Sequence, residues 1–197
     1  VQTYNGSVDL QADTQLTASQ INFQNQLNGN DHDLVLTAAT NNLAEVSGLN
    51  QLQINGNVNF NGTVTLNQLG VNGDSNIYTS LIQSSGKQLY QGNINLFNNA
   101  NLQANQISFN GAINGNYDLN LQGSTLFNGT VGADQALSSL TVNGLATINT
   151  GSITTLNQQN YLGAVHLQTE SNLSGSQLNF ADALTGNNHN LTLNGPV

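Results

Sequence analysis

Residues 2–29 read QTYNGSVDLQADTQLTASQINFQNQLNG, residues 88–115 read QLYQGNINLFNNANLQANQISFNGAING, and residues 159–186 read QNYLGAVHLQTESNLSGSQLNFADALTG. The three stretches align without a gap. Tyr4, Tyr90 and Tyr161 coincide, as do Gly6, Gly92 and Gly163, then Leu16, Leu102 and Leu173, then Phe23, Phe109 and Phe180. Within each copy the apolar residues alternate. Val8-Asp9-Leu10 matches Ile94-Asn95-Leu96 and Val165-His166-Leu167, so the outer positions stay apolar while the middle one varies. That is the signature of a strand with one buried and one wet face.

A shorter period underlies the long one. Each Tyr precedes its Phe by 19 residues, and the 37 residues from Phe23 to Phe60 make about two such steps. About 19 residues is one coil of a solenoid, whose stacked coils bury a continuous apolar interior. The pattern predicts an all-β chain, a right-handed parallel β-helix (β-solenoid) with coils of about 19 residues. Residues 1–197 form a single repetitive domain with long repeats starting near 2, 88 and 159. Ten coils at about 4.8 Å give a rod of about 50 Å. The expected core comprises Tyr4, Leu16, Phe23, Tyr90, Leu102, Phe109, Tyr161, Leu173 and Phe180. The one weak helical candidate, TAATNNLAE over 37–45, reads as a turn or loop. The rival fold is an antiparallel β sandwich or meander, because the chain holds ten Asn-Gly pairs, the strongest hairpin signal. In a solenoid those pairs instead supply left-handed residues at corners, and Asn side chains can stack into ladders between coils.

Composition narrows the function. Only 6% of residues are charged, Lys87 is the sole basic side chain, and the net charge is −9. No cationic cluster exists to neutralise phosphates, so nucleic acid is not a partner, and attraction to an anionic membrane is equally disfavoured. No apolar run approaches a membrane span, so no membrane insertion is expected. Polarity comes from 56 Asn and Gln residues. Cys is absent, which rules out disulfides and thiolate metal sites. Val1 falls almost directly on the repeat and no polar cap is evident at Val1 or Val197, which reads as an excised or mature segment.

The stretches QTYNGSVDLQADTQLTASQINF (2–23) and LFNGTVGADQALSSLTVNGLATINTGSITTLNQQNYLGAVHL (126–167) resemble repeats of very large bacterial adhesins of the filamentous haemagglutinin type. The resemblance covers nearly the whole chain. It implies the β-helical shaft of a two-partner-secretion exoprotein, extracellular at the bacterial cell surface or secreted, serving adhesion, aggregation or biofilm matrix. It implies no catalytic residues. This chain is poorer in Thr and richer in Asn and Gln than the usual repeat, and the family's secretion domain is not evident.

The residues themselves suggest no enzyme and no cofactor. Asp31 and Asp33 flank His32 and are the closest carboxylate pair, but copy two replaces the segment with Asn116-Tyr117-Asp118, which favours a solvated turn. His32 and His189 occupy equivalent turns far apart in sequence, and His166 should point outward, so no metal site is expected. Five sequons, at Asn5, Asn61, Asn128, Asn172 and Asn190, are close to chance in so Asn-rich a chain. The aromatic residues could form a sugar-stacking stripe, but their phase places them inside. Ice binding by a flat Thr ladder finds only Thr63-Val64-Thr65. The expected function is therefore a rigid structural and adhesive rod segment. The alternative is a filament subunit that stacks end to end. Its partners would be neighbouring coils of the same or an identical chain, with host or matrix glycans or proteins outside.

Overall fold

The computed structural model describes all 197 residues. It contains strands and turns and no helix. The strands pair in parallel, each with a partner about 19 residues away, and wind into a stack of about ten coils. An antiparallel meander is excluded by that pairing. Each coil has three faces. The first coil contributes Gln2–Tyr4 to face one, Val8–Asp9 to face two and Thr14–Thr17 to face three.

Inward residues repeat down each face. Face one carries Ile21, Asn41, Val58, Ser75 and Ile94 in successive coils. Face two carries Val64, Ile82, Leu102 and Leu121. Face three carries Leu36, Ile54, Val71, Tyr90 and Phe109. Together they make one cluster of 43 buried apolar residues running the length of the stack. Each fully buried Leu, Ile or Phe side chain stabilises by roughly 1.5–3 kcal/mol. Asn41 and Ser75 break the apolar rule on face one. Both are fully buried, and Asn41 Oδ1 and Ser75 Oγ have no hydrogen-bond partner. Such groups cost free energy, and the surrounding core must offset them.

The long repeat is real, but its copies do not lie above one another. Tyr4 stacks on Phe23 on face one, Tyr90 on Phe109 and Phe127 on face three, and Tyr161 on Phe180 on face two. Their ring centroids lie 4.8–5.7 Å apart, close to one coil spacing. Successive copies therefore start two faces further round.

Two local expectations are corrected. Residues 37–45 are not a loop: Thr37–Leu43 belongs to the strand Asp33–Leu43, and only Ala44 and Glu45 turn before Val46–Phe60. The strand bends at Ala38-Ala39, where the register shifts, and the small buried Ala38 lets the corner form without breaking the ladder. The Asn-Gly pairs are also not mainly left-handed corners. Of their glycines only Gly56, Gly115 and Gly195 have positive φ. The others, apart from the open Gly6 at the first coil, are required by close approach of neighbouring coils. A Cβ at Gly73 would lie 2.4 Å from the Gly56 carbonyl carbon, and one at Gly129 would lie 2.0 Å from the Gly111 oxygen.

Candidate functional site

Polar side chains inside and outside the coil do different work. Inside, Gln88 and Gln159 are buried and equivalent in the repeat. Gln88 Nε2 donates to the carbonyls of Ile82 at 3.1 Å and Gln103 at 2.9 Å, and its Oε1 accepts from the Tyr90 hydroxyl at 3.0 Å. Gln159 repeats this with Ile153, Ser174 and Tyr161. Gln2 and Tyr4 form a looser version, hydroxyl to Oε1 at 3.4 Å. The Gln-x-Tyr unit lets a phenol enter the core with its hydroxyl satisfied and ties adjacent coils together. The repeat start at Gln2, Gln88 and Gln159 was the only sequence signal of it.

Burial pushes the Tyr90 and Tyr161 phenols far above their ordinary value. The unfolded chain ionises these phenols above about pH 10 while the folded chain holds them neutral. Stability is therefore unaffected by them below about pH 10 and falls above it, by roughly 1.4 kcal/mol per pH unit per tyrosine. Urea midpoints measured from pH 8 to 12 should drop with both phenols contributing. Tyr90→Phe with Tyr161→Phe should flatten most of that slope.

Outside, asparagines form ladders. On face one Asn42 donates to Asn22 Oδ1 at 2.6 Å, Asn59 to Asn42 at 2.6 Å, Asn76 to Asn59 at 2.8 Å and Asn95 to Asn76 at 3.0 Å. A second ladder climbs the corner after face three through Gln91, Asn110, Asn128 and Asn149. Within both ladders each bond runs from an amide N–H to the amide oxygen of the preceding coil.

One corner differs. Between faces one and two, Tyr78, Phe97, Tyr117 and Leu156 are 41%, 47%, 37% and 56% exposed, so this edge carries an apolar ridge. Tyr78 and Phe97 stack at 4.6 Å. Beside the ridge runs a polar groove. Its first part, of about 300 Å³, is lined by Ser80, Asn99, Ala100, Asn101, Asp118 and Asn120. Its second part, of about 370 Å³, begins again at Asp118 and continues through Ser138, Ser139, Asn157, Gln158, Ser176 and Gln177. The coils are tied across it: Asp118 N–H donates to Asn99 Oδ1 at 3.0 Å, Ser139 Oγ to Asp118 Oδ1 at 2.7 Å and Asn157 Nδ2 to Ser138 Oγ at 3.4 Å. Nothing in the sequence marked this groove, because it is assembled from single residues about one coil apart.

The residues weighed in the sequence fall as follows. Tyr90, Leu102, Phe109, Tyr161 and Leu173 are fully buried and Phe23 nearly so, while Tyr4, Leu16 and Phe180, on the end coils, are partly buried against the core. Asn30 and Asp31 adopt left-handed conformations, and His32 Nδ1 lies 3.5 Å from Asp13 Oδ1. Asn187 and Asn188 repeat that turn before His189, one corner further round. His166 faces outward. No group of three His, Asp or Glu side chains comes close enough to hold a metal ion. Of the sequon asparagines, Asn128 is bound into the outer ladder on both sides, while Asn5, Asn61, Asn172 and Asn190 are exposed.

Comparison with family models, curated proteins and solved structures finds no match to this chain.

Proposed function

We propose that the chain is a stiff segment of an extracellular bacterial surface protein, a rod serving adhesion, aggregation or the biofilm matrix. The observation that carries this reading is the mutual bracing of the coils. A continuous core runs through the stack, and buried Gln-x-Tyr units and outward amide ladders add further links between neighbouring coils, so bending the rod breaks several contacts at once. The resemblance to haemagglutinin-type shaft repeats in residues 2–23 and 126–167 points the same way. So does the composition. One Lys and no Arg offer trypsin a single bond, which suits a protein standing among extracellular proteases.

The alternative is a self-assembling filament subunit. It draws on the partly buried Tyr4 and Leu16 at one end of the stack and Phe180 at the other, which a further coil would cover. In this reading that coil would come from an identical chain. End-to-end stacking of copies is heterologous and does not close, so it grows without limit. Electron microscopy of the purified chain, with sedimentation across a hundredfold dilution, separates the two. The rod-segment reading expects isolated rods of about 50 Å, and indefinite fibres would replace it with the filament. Aggregation of cells displaying the chain tests the adhesive part, and display that leaves cells dispersed would remove it.

A further inference from the structure

The groove beside the Tyr78–Phe97 ridge has a shape and chemistry that the rod reading does not need. It follows the rod axis across six coils, from Ser80 to Gln177. Its walls are mostly Ser, Asn and Gln side chains, with Ala100 the one apolar residue and Asp118 the one carboxylate. No cation lines it, since Lys87 sits on face three beside Gln68 and Gln106. A sulfated or carboxylated ligand would find no counter-charge there and would meet Asp118. A nonpolar peptide would leave the hydroxyls and amides of the wall unpaired on burial.

We propose that this groove binds an uncharged, extended polysaccharide laid along the rod. A pyranose is amphipathic in the way the corner is: hydroxyls project from its edge, and its ring faces expose C–H groups. The hydroxyl edge fits the polar wall, and the C–H groups fit the ridge, whose Tyr78, Phe97, Tyr117 and Leu156 lie one or two residues before the wall in four of the six coils. The periods also agree. Coils repeat at about 4.8 Å, and an extended chain of equatorially linked pyranoses advances by nearly that length per sugar. Successive sugars then meet successive coils, each offering hydroxyl, amide or carboxylate groups, so contacts add along the chain.

Gln158 and Gln177 are the clean probes. They face each other across adjacent coils, are exposed, and their side chains make no hydrogen bond within the protein, so removing them leaves the fold alone. Titration calorimetry with cellohexaose should show binding at or below about 1 mM, weakening steadily as the oligosaccharide is shortened to cellobiose. The double variant Gln158→Ala, Gln177→Ala should weaken it about tenfold or more. Gln51→Ala with Gln68→Ala, on face three, should not change it. Maltohexaose, the same sugar in a coiled chain, should bind more weakly, and a heparin hexasaccharide should not bind. Absence of cellohexaose binding, equal loss in both double variants, affinity independent of chain length, or preference for heparin would each overturn the proposal. None of these results touches the rod, which microscopy tests separately.

Discussion

Leu102→Asp should abolish cooperative folding or lower stability by several kcal/mol, the range expected when an unpaired carboxylate is buried. Leu102 is fully buried on face two, between Ile82 in the coil before and Leu121 in the coil after. The strands on both sides block access to water, and no cation is near enough to pair with a new charge, because Lys87 is an outward residue on another face. The carboxyl would escape the cost only by staying protonated, so acid pH should restore part of the loss. Asn95→Asp is the comparison. On sequence alone it should cost about half a kcal/mol or less, as an outward position does. The structure raises that figure. Asn95 donates to Asn76 Oδ1, and a carboxylate there would face an acceptor with no proton between them. Asn76 cannot answer by turning its amide, because its own Nδ2 is committed to Asn59. A loss of about 1 kcal/mol is expected, still far below that of Leu102→Asp. Urea midpoints for the two variants measure the contrast, and equal losses would mean that the inward and outward phases are misassigned.

The coil length and the strand phase were legible because burial enforces them. Alternation around Val8, Ile94 and Val165 leaves only one way to point a strand, and the Tyr-to-Phe spacing gives the coil directly. The rotation of the copies was recoverable in principle but hidden by the strength of the alignment. Gln2 and Gln88 are 86 residues apart, and Gln88 and Gln159 are 71 apart. Neither is a whole number of 19-residue coils, so identical sequences must fall on different faces. The three-sided coil tolerates this because each face asks for much the same thing, two inward, mostly apolar residues around an outward one that is free to vary. The groove left no mark because Ser80, Asn99, Ser138 and Ser176 are ordinary surface residues until the corner stacks them. The helical and loop signal at 37–45 misled because Ala38-Ala39 suits a tight corner as well as it suits a helix.

Gly92→Ala and Gly6→Ala should have opposite outcomes although the two glycines occupy the same position of the repeat. A Cβ on Gly92 would lie 2.4 Å from both the carbonyl carbon and the oxygen of Gly73, and 2.7 Å from the Asp74 nitrogen. All three are backbone atoms of the coil before, so no side chain can swing aside. Gly111 packs on Gly92 in the same way from the other side, where a Cβ on Gly111 would lie 2.3 Å from the Gly92 oxygen, so the corner has little room to shift along the axis either. Relieving the contact means separating two coils and losing ladder hydrogen bonds near Gly92, among them Ser75 N–H to the Asn93 carbonyl at 2.8 Å and Gln91 N–H to the Val71 carbonyl at 2.9 Å. A loss of about 3 kcal/mol or more is expected, as for overpacking against a site that cannot relax. Gly6 has nothing within 4 Å of a Cβ, and its φ is not in the left-handed region. Alanine there restricts only the unfolded chain and should be neutral or stabilise by about 0.4–1 kcal/mol. Gly151, equally open although it lies inside the stack rather than on an end coil, should behave like Gly6. Thermal midpoints of the three single variants decide it. If Gly92→Ala is as harmless as Gly6→Ala, the coils are not packed backbone against backbone at this corner, and the glycines serve only to turn the chain.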